Sequence, residues 1–196
     1  MKHSLVLLAC TAALAACNKG PEVHAKNASV EDVAKQVRDS GVGADSFLHA
    51  GQWKATSNLE EMNIPGMPPE AQAQMKSALG KAQNASFEYC LTEEEAKKPG
   101  GKVFTGKENK NCRYESFNMS GGKIDAVMHC QGDGGGTMTL KVNGTYSPDS
   151  YESRAELKTE GGRQGGMTMK MRTEAHRIGQ CTAKGGDVKV TMGGKP

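Results

Sequence analysis

Three methionines at a spacing of two, Met167, Met169 and Met171, carry the side chains most suggestive of chemistry in this chain. Thioethers are soft ligands suited to Cu(I), and on a strand a period of two sets all three on one face. Met138 and Met128 would then be neighbours on adjacent strands. The competing reading makes the same positions the apolar face of an amphipathic strand. In a chain with 11 Met and only 5% aromatic residues, methionine is a natural core filler. Core therefore outweighs copper, no metal site is favoured, and periplasmic copper binding stands as the alternative function.

Cys90, Cys112, Cys130 and Cys181 are the next set. An even number of cysteines in an oxidising compartment reads as two disulfides, and four cysteines allow three connectivities. The expected pairing is Cys90 with Cys112 and Cys130 with Cys181; chain-entropy estimates give each loop roughly 3 to 4 kcal/mol. A zinc site from the same four lacks any CxxC spacing. His49, His129 and His176 are the candidate acid-base groups beyond the N-terminal segment. Strand parity puts His129 and His176 on wet faces, and the chain has no Gly-x-Ser-x-Gly and no evident Ser, His and Asp set. The expectation is a protein that is not an enzyme, with no catalytic residues and no cofactor.

The compartment follows from Cys17. It closes the run Leu14-Ala15-Ala16-Cys17 behind an apolar stretch and the basic Lys2. A basic start, about ten apolar residues and small residues before a cleavage point make a secretory signal too short to span a bilayer. The ending resembles a bacterial lipobox, in which the cysteine is acylated and becomes the first mature residue. Residues 1–16 are thus expected to be a signal peptide, with Cys17 carrying lipid such as palmitate. Asn18 rather than Asp after it points to the outer membrane, facing the periplasm. Loss of residues 1–16 leaves 180 of 196 residues, and because Lys2 is the one charge lost, the net charge falls from +3 to +2. A nearly neutral chain without a basic stripe makes nucleic acid an improbable partner.

These groups need elements to hold them. Residues 17–28 are polar and read as a flexible tether. Residues 29–41 read as an amphipathic helix capped by Ser29, with Val30, Val33, Ala34 and Val37 on one side. From Gly51 the period changes to two, as at Trp53-Ala55-Ser57-Leu59, Ile124-Ala126-Met128-Cys130, Met138-Leu140-Val142, Tyr151 with Ala155 and Leu157, Met167-Met169-Met171, and Val188-Val190-Met192. Alternation with short Gly-, Asn- and Pro-rich turns marks antiparallel strands with one wet face. Segments 85–92 and 112–119 read as strands less cleanly. Two helices interrupt: Glu70 to Gln83, with Met75, Ala78, Leu79 and Ala82 as its apolar face, and Glu93 to Lys97, capped by Thr92. The fold class is mainly β, an antiparallel meander sheet, open-barrel or sandwich-like, with short helices inserted and an N-terminal helix. Residues 47–196 form its single disulfide-stabilised domain.

Ala50-Gly51-Gln52-Trp53, Ile64-Pro65-Gly66-Met67-Pro68-Pro69, Cys90-Leu91-Thr92 with Ala96 and Pro99, then Cys112, Cys130 and His176-Arg177-Ile178-Gly179-Gln180-Cys181 form an ordered set. Over about residues 47 to 182 this set resembles a bacterial envelope family known as a domain of unknown function, number three-six-one-seven. The resemblance implies a secreted or lipid-anchored protein with a disulfide-bearing β-rich domain, and no activity. The expected function is a non-catalytic binding or interaction module at the membrane. If the sheet curls, its Met-lined face would hold a hydrophobic small molecule; an envelope protein is the other expected partner.

Overall fold

The computed structural model describes residues 22–40, 47–83, 86–97, 111–132, 135–161, 166–182 and 188–191. Period-two alternation produces strands β1 (Val23–Ser29), β2 (Gly51–Asn63), β3 (Ser86–Leu91), β4 (Cys112–Ser120), β5 (Lys123–Gln131), β6 (Thr137–Ser147), β7 (Ser150–Glu160), β8 (Met167–Gly179) and β9 (Val188–Thr191). Helices α1 (Val30–Asp39), α2 (Pro69–Gln83) and α3 (Glu93–Lys97) lie between them. The strands form one open antiparallel sheet in the order β1-β4-β5-β6-β7-β8-β2-β3-β9. From β4 to β8 each strand pairs with the next, as hairpins with short turns dictate. A single open sheet decides between the open-barrel and sandwich expectations: there is one layer of strands, with one apolar face.

Residues 23–28, expected to belong to a flexible tether, instead begin an edge strand. Val23 and Ala25 are buried, while His24 hydrogen-bonds Asn118 of the neighbouring strand at 2.9 Å. The strand register passes through Asn27 at φ 48°, a left-handed conformation that Asn tolerates, and the Arg113 guanidinium donates to the Asn27 carbonyl. The folded unit therefore starts well before residue 47. Ser29 closes β1 and caps α1: its Oγ accepts the Asp32 N–H at 3.0 Å, and its hydroxyl donates to the Asp32 carboxylate at 2.6 Å. These bonds hold the Asp32 carboxyl below the usual range. Val30, Val33 and Val37 then bury one side of α1 in the core.

α2 departs from its expected packing. Met75 is 39% exposed and Ala78 is also exposed, so that half of the predicted apolar face meets solvent; the side chains of Leu79 and Ala82 lie outside the described residues. What holds its start is polar. Gln72 accepts the Ile64 N–H at 3.2 Å and donates to the Ile64 and Met67 carbonyls at 3.3 and 2.9 Å, tying the Pro-Gly turn to the helix.

The disulfides correct the expected pairing. Cys112 pairs with Cys130 and Cys90 with Cys181, in place of Cys90–Cys112 and Cys130–Cys181. The cause is register. β4 and β5 form a hairpin in which Cys112 stands directly opposite Cys130, 4.0 Å apart at Cα. Cys90 lies on β3 opposite Gln52, which pairs on its other side with Gly179, so the chain leaving β8 delivers Cys181 within 5.3 Å at Cα. With all four thiols oxidised, the zinc alternative has no ligands left.

One end of the apolar face is filled with rings. Trp53 is 0% exposed, with ring centroids 6.5 Å from Tyr89 and 6.0 Å from Tyr151, and its Nε1 donates to the His49 carbonyl at 3.0 Å. Phe47 meets Tyr146 edge-on at 5.0 Å. Burial pushes the phenols of Tyr89, Tyr114, Tyr146 and Tyr151 above the ordinary value of 10.0. These are all four tyrosines of the chain. A phenol that ionises more readily unfolded than folded stabilises the fold fully below pH 10 and loses that contribution as pH rises above it. Alkaline unfolding is therefore expected to begin at about pH 10, with tyrosinate absorbance near 295 nm rising together with loss of far-UV circular dichroism. Tyrosine ionisation completed before any loss of dichroism would contradict this burial.

Candidate functional site

Across the other end of the same face the register stacks aliphatic and thioether side chains. Met128, Leu140, Leu157 and Met169 form one row across β5 to β8, and Val142, Ala155 and Met171 form the next. Met128, Met138, Leu140, Ala155, Leu157, Met169 and Met171 line a cavity of about 310 Å³. Met128 and Met169 are three strands apart, ~14 Å at the usual strand spacing, so one cavity between them requires a sheet curled toward this face. Apart from buried Met128, the lining side chains are only half-buried. The rings that fill the other end stop short of this one, and a small Ala155 at its floor leaves the volume open.

The next row toward the aromatic end changes character. Gly144, Ser153, Thr173 and Ser57 follow one another across β6, β7, β8 and β2. The Ser57 and Thr173 hydroxyls are hydrogen-bonded at 2.8 Å. Gly144 is required by close approach: a Cβ there would stand 2.3 Å from the Glu152 carbonyl oxygen. One row further on, the Tyr146 hydroxyl is buried without a hydrogen-bond partner among the described residues.

The opposite face is a lattice of exposed ion pairs. Arg172 stands 3.1 Å from Glu152 and 2.6 Å from Glu174 as ion pairs, and Lys170 donates to Glu61 at 2.6 Å. Pairs this exposed add little stability but keep the surface solvated. His129 sits on this face between Thr139 Oγ1, 3.1 Å from Nδ1, and Glu115, 2.7 Å from Nε2. The order hydroxyl, imidazole, carboxylate is that of an activated nucleophile, yet it lies on the wet face, away from the cavity. His49 pairs with Asp149 at 3.0 Å at the aromatic end, and His176 is exposed on the wet face opposite Lys54.

Of the methionines read from sequence as a copper set, Met169 and Met171 line the cavity and Met167 does not. They join Met128 and Met138, which parity had named as neighbours, and the aliphatic Leu140, Ala155 and Leu157, which the period-two alternation had placed on the apolar faces of their strands. Four thioethers distributed over three strands form a wall. Cys17 lies outside the described residues.

Of the residues that carry the family resemblance, Ala50, Gly51, Trp53, Cys90, Arg177 and Cys181 gather at the aromatic end, while residues 64–69 and the Cys112–Cys130 pair lie toward the other. Gly51, at φ 147°, lies under Arg177: a Cβ on it would stand 2.5 Å from Arg177 Nε and 2.4 Å from the Gly179 carbonyl oxygen. Arg177 donates across it to the Ala50 carbonyl at 2.8 Å and reaches Asp149 at 3.8 Å. This is a joint between β2, β8 and the β6–β7 turn, locked by the Cys90–Cys181 bond. Neither curated proteins nor solved structures give a significant match to the chain. The model of a family described as a protein of unknown function, DUF3617, matches residues 48–181. With that span covering the joint, both disulfides and the cavity, the chain belongs to the DUF3617 family.

Proposed function

We propose that this protein is a lipid-anchored component of the bacterial envelope that acts as a non-catalytic binding module, holding an apolar ligand in the methionine-lined cavity. The observation that carries the reading is the cavity itself: about 310 Å³ lined by seven aliphatic or thioether side chains and open on one side, at the low end of the range of about 300–1,000 Å³ typical of small-molecule sites. Half-buried side chains around such an open hollow leave apolar surface in contact with water, which an apolar ligand would cover.

The anchor rests on the Leu14 to Cys17 ending, and the early start of β1 supports it as part of the same device. If Cys17 is acylated, only residues 18–22 separate the lipid from Val23, a span of at most about 18 Å when extended. Such a leash keeps the sheet at the membrane surface, where apolar ligands are found.

The test is native mass spectrometry of the full chain purified from bacterial membranes, with organic extraction of what it carries. Wild type is expected to hold an apolar species of defined mass. Ala155→Phe, which fills the cavity with a ring, and Leu157→Lys, which places a charge in it, are each expected to lose more than nine-tenths of that species, with melting temperatures monitored to establish folding. Wild type carrying nothing, or a folded Ala155→Phe carrying as much as wild type, would sink the proposal.

A further inference from the structure

We infer that the ligand is a single-chain aliphatic amphiphile with an uncharged, hydroxyl-bearing head, its chain in the methionine cavity and its head on the row of Ser57, Thr173 and Ser153; this rests on the cavity being an apolar-ligand site. Among the described residues the lining contains no aromatic ring, so none of them offers a planar ligand a stacking surface. Thioether and isobutyl side chains adapt instead to a flexible chain. At ~30 Å³ for a water-sized group, the 310 Å³ accommodates on the order of ten chain carbons.

Polarity fixes the head. Moving from Leu59, Met171 and Ala155 to the next row, the register exchanges aliphatic groups for the hydroxyls of Ser57, Thr173 and Ser153. These hydroxyls both donate and accept. Among the described residues no cation joins them. Arg154, Arg172, Lys158 and Lys170 alternate to the opposite face and are engaged there with Glu60, Glu152, Glu174, Glu160 and Glu61. Arg177 shares the apolar side of β8 but stands two rows further on, held by Ala50 and Asp149. A carboxylate or phosphate at this half-buried hydroxyl row would lose part of its hydration with no counter-charge among the described residues, which is costly. A fatty alcohol or the glycerol head of a monoacylglycerol meets hydrogen-bond partners and incurs no such cost.

The experiment is isothermal titration of the full chain in nanodiscs, with empty nanodiscs as blank, against 1-decanol, decanoate at pH 8 and 2-naphthol. The expected order has 1-decanol binding at least tenfold more tightly than either of the others. In the double variant Ser57→Ala and Thr173→Val, the preference for decanol over decanoate is expected to fall below threefold. Decanoate or 2-naphthol binding wild type as tightly as decanol overturns this inference and leaves the apolar-ligand reading standing. No binding of any of the three overturns both. The wild-type comparison does not depend on the variant folding.

Discussion

Replacing Cys90 and Cys181 together by serine is expected to lower the melting temperature by about 10–20 °C, the larger of the two disulfide effects. Their sequence separation is 91 residues. In the chain-entropy account a closed loop of that order removes about 4 to 5 kcal/mol of disorder from the unfolded state. At roughly 2–4 °C per kcal/mol for a domain of this size, the shift follows. Cys112 and Cys130 are separated by 18 residues, which gives about 3 kcal/mol on the same scale. Native structure points in the same direction. The Cys112–Cys130 bond spans a hairpin already registered by its own ladder, whereas Cys90–Cys181 ties β3 to the segment leaving β8, on the far side of β2. Serine at both positions avoids a stray thiol. Calorimetry of the two double variants checks the order, and an equal or larger loss from Cys112→Ser with Cys130→Ser would contradict it.

The same disulfides show what a one-dimensional reading reaches. Strands such as Gly51–Asn63 and Ser150–Glu160 were legible because one wet face forces polar and apolar residues to alternate. β1 offered only Val23 and Ala25 before Asn27 interrupts the alternation, so its strand character was hidden behind a tether-like composition. Disulfide partners depend on which strands become neighbours, and the pairing of β2 with β8 is a contact across more than a hundred residues that no local pattern announces. The cavity is further still from the sequence. Parity placed Met128, Met138, Met169 and Met171 on one face, but an unfilled volume between them depends on how far the sheet curls and where the aromatic filling ends. The order of segments 50–53, 64–69 and 90–92, Cys112, Cys130 and segment 176–181 made the family legible, and of these Gly51, Trp53, Cys90, Arg177 and Cys181 turn out to build the joint at the opposite end of the face from the cavity.

That separation makes a sharp prediction for Trp53→Ala. The indole is fully buried, flanked by Tyr89 and Tyr151, with its N–H on the His49 carbonyl. Truncating a buried Trp to Ala costs about 3–5 kcal/mol through lost transfer energy and the cavity left behind, and here it also leaves the His49 carbonyl without its donor. Urea unfolding should show a midpoint lowered by that amount with an unchanged slope, because the surface exposed on unfolding stays nearly the same. Trp53→Phe keeps a ring between the two tyrosines and loses the hydrogen bond and part of the area, so roughly 1–3 kcal/mol is expected. A loss below about 1 kcal/mol for Trp53→Ala, far under the usual range for a buried ring, would mean that the aromatic end does not hold the sheet together. The cavity should respond differently. Trp53 stands on β2 beyond the hydroxyl row and is not among the residues that line the cavity, so well below its melting temperature Trp53→Ala is expected to bind 1-decanol within threefold of wild type. Ala155→Phe should do the reverse, abolishing binding at a small cost in stability. Stability and binding would then report on opposite ends of one apolar face.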